Sequence, residues 1–209
     1  MAIDLLHDGP VDAAARLVLA HGAGAPMASS FMQAMAEALG ARGIRVTRFE
    51  FPYMQARRYG GKSGGPDPKQ VLLDTYRQVI AMLGAGAPLF IGGKSMGGRM
   101  ASMIADETGI AGLVCLGYPF HPAGKPTQTR VAHLAALETP TLIVQGTRDT
   151  LGSRQDVASY ALAPAIRLAW IESGDHSFAP LKRSGRTEAQ AMQEAIDLVT
   201  DFVLPAVAK

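Results

Sequence analysis

Pro88-Leu89-Phe90-Ile91-Gly92 runs directly into Gly93-Lys94-Ser95-Met96-Gly97-Gly98, and Arg99 to Thr108 follows as an Ala- and Met-rich segment of helical character. That order is strand, sharp turn, helix, with a serine at the bend. A serine on so tight a turn is pushed clear of its own backbone, and glycines two residues to either side let neighbouring chain pass close by. Ser95 is therefore read as an exposed nucleophile. The bare pattern G-x-S-x-G would arise by chance about 0.12 times in a chain with this Ser and Gly content, so context has to carry the reading. A second copy, Gly61-Lys62-Ser63-Gly64-Gly65, follows Arg57-Arg58-Tyr59-Gly60 and leads into Pro66-Asp67-Pro68. It has no strand before it and no helix directly after it, which rejects Ser63.

Outward from this segment, apolar strand-like runs alternate with helical periodicity. Arg16–Ala20, Ile44–Phe51, Ile110–Gly117, Thr141–Gln145 and Ile166–Glu172 read as further strands. Phe31–Leu39, the stripe Leu72, Tyr76, Val79, Ile80 and Leu83, the segment Arg154–Leu162 and the stripe Met192, Ile196, Val199 and Val203 read as helices, with a flexible stretch from Tyr53 to Pro68. Such alternation predicts an α/β fold: a mostly parallel, doubly wound sheet with helices on both faces. The 209 residues, 48% hydrophobic, are expected to form a single domain over 1–209.

Parallel sheets carry their chemistry beyond the carboxyl ends of the strands. Gln145-Gly146-Thr147-Arg148-Asp149 follows one apolar run and Glu172-Ser173-Gly174-Asp175-His176 another. Ser95, Asp149 and His176 thus stand after three strands, in the chain order Ser, Asp, His. A hydroxyl is a feeble nucleophile at neutral pH; it needs an imidazole to take its proton and a carboxylate to fix that ring's tautomer. Asp156 and Asp175 are the competing carboxylates, and His7, His21, His121 and His133 the competing imidazoles. His21 reads as a structural hydrogen-bonder and His133 as an ordinary surface or core histidine. For the oxyanion of a tetrahedral intermediate, the expected donors are the N–H of Met96 and, in His21-Gly22-Ala23-Gly24, that of Ala23 or Gly24, with Ala23 preferred.

These residues resemble the α/β hydrolases, and within them the small dienelactone-hydrolase-like members. Leu19-Ala20-His21-Gly22-Ala23-Gly24, Phe51-Pro52-Tyr53-Met54, Gly92 to Arg99, Tyr118-Pro119-Phe120-His121-Pro122 and Asp175-His176-Ser177-Phe178 are similar to a narrower subgroup. It includes a testis-expressed protein and a subunit of the nonspecific-lethal acetyltransferase complex. The resemblance implies a triad of Ser95, Asp149 and His176. It also implies that a non-catalytic scaffold binding a partner protein is the competing reading.

Other classes of function find little support. Twenty basic against eighteen acidic residues leave a formal charge of +2, scattered along the chain, which points to neither nucleic acid nor an anionic membrane. No Cys/His cluster has metal-ligand spacing, and no dinucleotide fingerprint is present, so no metal and no cofactor are expected. A phosphate loop would need glycine where Pro88 and Ala56 stand, and Lys94 is read as a residue flanking the nucleophile, solvent-facing or touching substrate. Cys115, alone and inside an apolar run, fits a reducing compartment; with no leader-like N-terminus, a cytoplasmic setting is expected. Between Gly117 and Thr141 there is room for one short helix but no large cap domain, which predicts an open site. Tyr53, Arg57, Arg58 and His121 are expected around it, receiving a small-molecule ester or thioester with a nearby anion. Oligomeric state is not legible.

Overall fold

Along each strand, successive side chains point to opposite faces, so apolar residues at every position demand a cover on both sides. In the computed structural model, which describes residues 3–61 and 64–207, seven strands form one sheet. They are β1 (Leu5–Asp8), β2 (Ala15–Ala20), β3 (Ile44–Phe49), β4 (Leu89–Lys94), β5 (Gly112–Leu116), β6 (Thr141–Gly146) and β7 (Ile166–Ile171). Their spatial order is β1-β3-β2-β4-β5-β6-β7; β1 pairs antiparallel with β3, and every other pair is parallel. The helices are α1 (Ser30–Ala41), α2 (Pro52–Arg58), α3 (Lys69–Leu83), α4 (Met96–Ser102), α5 (Arg154–Val157) and α6 (Glu188–Val207).

The two faces bury separate cores. Leu17 and Leu19 of β2, Val46 of β3, Val114 of β5 and Val144 of β6 pack with Met32, Met35 and Leu39 of α1 and Ala195, Val199 and Val203 of α6. Their strand neighbours Val18, Phe49, Cys115 and Ile143 face the other way, against Leu72, Tyr76 and Val79 of α3 and Met100 of α4. The period-2 split is what makes the sheet the centre of a three-layer molecule. No helix among the described residues is long and apolar enough to cross a membrane.

Four local expectations are corrected. β1 is an additional strand: Leu6 and His7 are exposed and Leu5 and Asp8 half-buried, as an edge strand allows. The stretch from Tyr53 to Pro68 is not flexible throughout, because Pro52 sits in the first turn of α2, where its missing N–H costs nothing, and Tyr53, Met54 and Gln55 are buried. The helix after the nucleophile begins at Met96, ends at Ser102 and is followed by a separate 3₁₀ turn at Ala105–Glu107. Arg154–Leu162 shrinks to the single turn of α5, closed by a capping box in which Ser153 and Asp156 bond reciprocally. Lys62 and Ser63 of the second serine motif lie outside the described residues.

Candidate active site

Parallel pairing brings the ends of β2, β4, β6 and β7 to one edge of the sheet, and the chain leaving each of them builds the site. At the end of β4, Ser95 is held at φ 51° and ψ −114°, a sparsely populated region for a residue with a Cβ. A conformation of this kind costs about 1–3 kcal/mol and persists only where the surroundings impose it. They do so here: the Ser95 N–H donates to the Leu116 carbonyl (3.0 Å) and its carbonyl accepts from the Arg99 N–H (3.0 Å). The turn must also pass under β2. A Cβ on Gly97 would stand 2.3 Å from the Ala20 carbonyl oxygen and 2.7 Å from that of His21, distances only glycine accommodates.

The Asp149 carboxylate, fully buried, lies just beyond β6 and accepts from His176 Nδ1 at 2.7 Å. Its other oxygen accepts from the Leu151 N–H at 2.8 Å. The competing carboxylates are engaged elsewhere. Asp175 accepts the N–H groups of Ser177 (2.8 Å) and Ala179 (3.0 Å), and Asp156 takes the hydroxyl of Ser153 (2.7 Å). With Nδ1 donating to Asp149, the imidazole presents its Nε2 lone pair on the other side. Ser95 and His176 line the same cavity of about 370 Å³, together with Lys94, Phe31 and Met32. The Ser95 hydroxyl is hydrogen-bonded to no other group among the described residues.

The segment after β2 faces this serine. His21 is fully buried; its Nε2 accepts from the Phe51 N–H (3.1 Å), so Nδ1 carries the proton and donates to the Gly22 carbonyl (2.6 Å). Burial pushes its pKa below the ordinary 6.5, keeping it neutral in its strut-like role. The Tyr53 hydroxyl donates to the Ala23 carbonyl at 2.9 Å, which fixes the next peptide of the loop. Ala23 borders Ser95 in two cavities, the one containing His176 and a second, of about 480 Å³, which shares only Ala23 and Ser95 with the first. Met96, in the first turn of α4, also lines the second.

Several expected or suspected residues stand elsewhere. Tyr53 braces the Ala23 loop and lines neither cavity beside Ser95. Arg57 and Arg58 line a separate groove with Met27, Glu50 and Met54, where Arg58 Nε pairs with Glu50 at 2.9 Å. His121 is buried, with its Nδ1 at 3.0 Å from the Pro122 carbonyl and its Nε2 at 3.6 Å from Asp156. The basic residues that do line the larger cavity are Lys69, Arg99 and Arg130. Lys94 is not solvent-facing. It is 8% exposed, donates to the His176 carbonyl at 2.7 Å, and burial depresses its pKa from 10.5 to about 8. A second serine–histidine contact, Ser102 Oγ to His133 Nε2 at 2.8 Å, is part-buried beside α4; the hydroxyl also bonds the Arg99 carbonyl, and among the described residues no carboxylate supports the ring.

Besides the cations of the larger cavity, one residue escaped the reading of the sequence as part of the site. Gln145, fully buried at the end of β6, donates to Asp149 Oδ2 (2.8 Å), the Gly152 carbonyl (3.1 Å) and the Tyr118 carbonyl (3.2 Å), and accepts from the Tyr118 N–H (2.7 Å). A polar residue in a strand otherwise buried and apolar was its signal.

A family model described as an alpha/beta hydrolase domain matches residues 13–204. The chain belongs to the alpha/beta hydrolase domain family. Among solved structures, this α/β hydrolase is similar to a lidless α/β serine hydrolase from Xanthomonas campestris, at TM-score 0.72 and 20% identity over 96% of this chain and 89% of the other. Est1E from Butyrivibrio proteoclasticus superimposes at 0.70 with 16% identity, covering 99% and 95%. A dienelactone hydrolase from Anabaena variabilis gives 0.68 and 19%, covering 96% and 92%. At these identities the likeness is one of fold. Between β5 and β6 of the present α/β hydrolase the described chain forms no element longer than a 3₁₀ turn at Ala132–Ala136. No group of three or more metal-ligating side chains occurs among the described residues.

Proposed function

We propose that the protein is a cofactor-independent serine hydrolase of carboxylic esters or thioesters, working through an acyl-enzyme on Ser95. The observation that carries this reading is the 2.7 Å bond from His176 Nδ1 to buried Asp149, on a ring that shares a cavity wall with a serine held at positive φ. His176 Nε2 takes the Ser95 proton as Oγ attacks the carbonyl carbon, and the imidazolium that forms is supported by Asp149. The N–H groups of Met96 and Ala23 receive the oxyanion. His176 then returns the proton to the departing alcohol or thiol, and the same ring activates the water that releases the acid. Structures similar in fold include Est1E with bound ferulic acid and a dienelactone hydrolase, in keeping with an ester substrate. The narrower resemblance to the testis-expressed and acetyltransferase-complex subgroup, and a cytoplasmic setting with Cys115 reduced, complete the proposal.

A fluorophosphonate probe tests it. The purified protein should be labelled at one site, Ser95→Ala should abolish both labelling and ester hydrolysis by about 10³-fold or more, and Ser102→Ala should retain both. Absence of labelling in the folded wild-type protein would overturn the reading.

A further inference from the structure

Ser95 separates two cavities of different character. The one containing His176 has Phe31, Met32 and Lys94 in its wall; the other holds three cations, Lys69, Arg99 and Arg130, against one carboxylate, Asp67. Asp67 is already engaged by the Tyr53 N–H at 2.8 Å. The two guanidinium groups have no such partner: neither Arg99 nor Arg130 makes a side-chain hydrogen bond or an ion pair among the described residues, and the Arg99 Nε is buried without an acceptor. Arginines are ordinarily paired when desolvated, because burying a lone charge is costly. Burial above all lowers the Arg99 pKa, with the like charge of Arg130 adding to it and Tyr118 opposing. Two unpaired, mutually repelling cations facing one cavity make a receptor for an anion.

The chemistry at Ser95 says which part of a substrate carries that anion. His176 must reach the leaving atom to protonate it, so the alcohol or thiol departs on the side of the cavity that His176 lines, and the acyl group lies across Ser95 in the other. We infer that the larger cavity is an acyl subsite for a second acid group, and that the substrates are half-esters or half-thioesters of dicarboxylic acids, their free carboxylate received by Arg99 and Arg130. This rests on the serine-hydrolase reading above. In the reaction the Ser95 Oγ–acyl bond forms as the C–S or C–O bond breaks, the serine proton passes through His176 to the leaving group, and water then releases the diacid.

The test compares N-acetylcysteamine thioesters matched in length: succinyl, glutaryl and adipoyl against butanoyl, pentanoyl and hexanoyl, with the released thiol measured colorimetrically. At one or more chain lengths kcat/KM should favour the dicarboxylic member by about tenfold or more. Arg130→Met should bring that ratio toward unity, and Arg130→Glu should reverse it; Arg130 lies on a loop, which keeps the test independent of whether an Arg99→Met helix variant folds. A binding arm uses Ser95→Ala and calorimetry, with monomethyl adipate and 6-methoxy-6-oxohexanamide, its neutral amide, as probes; tighter binding of the acid, lost in Ser95→Ala/Arg130→Met, is expected. Equal rates and equal binding for charged and neutral members, with Ser95 still labelled by fluorophosphonate, would overturn the subsite and leave the hydrolase standing. Failure of wild-type protein to be labelled or to cleave any thioester would remove the hydrolase and the substrate assignment together.

Discussion

Asp149 can orient His176 only if it is itself immobile, and at this scale the decisive contact is one amide. Gln145 Nε2 shares the Oδ2 oxygen that receives the imidazole, while its Oε1 holds the Tyr118 N–H at 2.7 Å. A single side chain thus satisfies the Tyr118 N–H and the Gly152 carbonyl and gives Asp149 Oδ2 a second donor beside His176. Gln145→Leu keeps the volume and removes every one of these bonds, leaving the Tyr118 N–H and a carboxylate oxygen short of partners; each unsatisfied group costs about 1–3 kcal/mol. Urea denaturation should show a loss of roughly 2–5 kcal/mol on that basis. Because the defect lies behind the imidazole and away from both cavities, kcat for ester hydrolysis should fall at least about tenfold with KM nearly unchanged. A fall confined to KM would show that the side chain does not position Asp149.

At the level of elements, the strand–turn–helix from β4 into α4 is sterically determined. Gly97→Ala places a methyl 2.3 Å from the Ala20 carbonyl oxygen, and the obstacle is backbone in the middle of a parallel sheet. The clash can be relieved only by moving α4 off β2, so this variant should melt well below wild type by calorimetry and lose fluorophosphonate reactivity, whereas Gly43→Asn, at φ 87° with no atom within 4 Å of an added Cβ, should melt near wild type. The same locality explains what the sequence discloses. The elbow is legible because its glycines and serine are contiguous, and the strand ends carrying Asp149 and His176 stand out because polar residues follow apolar runs. Helix α2 hides because the Gly- and Pro-rich chain after it dominates the composition, although Pro52 marks its start. The cationic cavity hides for a different reason. Arg99 and Arg130 are brought together by the return of the 118–130 segment over α4, anchored where the Arg130 N–H donates to the Phe120 carbonyl at 2.7 Å, and no local spacing encodes that contact. Arg57 and Arg58, adjacent in sequence and more conspicuous, face a different groove.

For the molecule as a whole, its buried titratable groups set the pH range of stability. Burial lowers the pKa of His21 and His133, and with Arg45 that of His7, below 6.5, so the unfolded chain binds more protons than the folded one as pH falls. Stability is therefore full above about pH 6.5 with respect to these groups and is lost progressively on acidification through their folded values. On the alkaline side two effects oppose each other. Lys94, depressed to about 8 against an ordinary 10.5, again binds fewer protons when folded, and its contribution to stability rises between those values. Cys115, Tyr76 and Tyr118 are raised by burial, and Tyr53 to about 12, so the folded state retains protons that the unfolded state releases above roughly pH 9–10, and stability falls there. The net profile should be flat from about pH 6.5 to 8, rise between about 8 and 9 where Lys94 alone titrates differently in the two states, and decline below about 6.5 and above about 10, where four groups outweigh one. Lys94→Met isolates the opposing contribution. Measured by urea denaturation at each pH, the stability of wild type relative to this variant should be constant below pH 8 and climb between about 8 and 10.5, because only the wild type sheds a proton on folding in that interval. A difference independent of pH would mean that Lys94 titrates as it does in water, which its 8% exposure and its bond to the His176 carbonyl argue against.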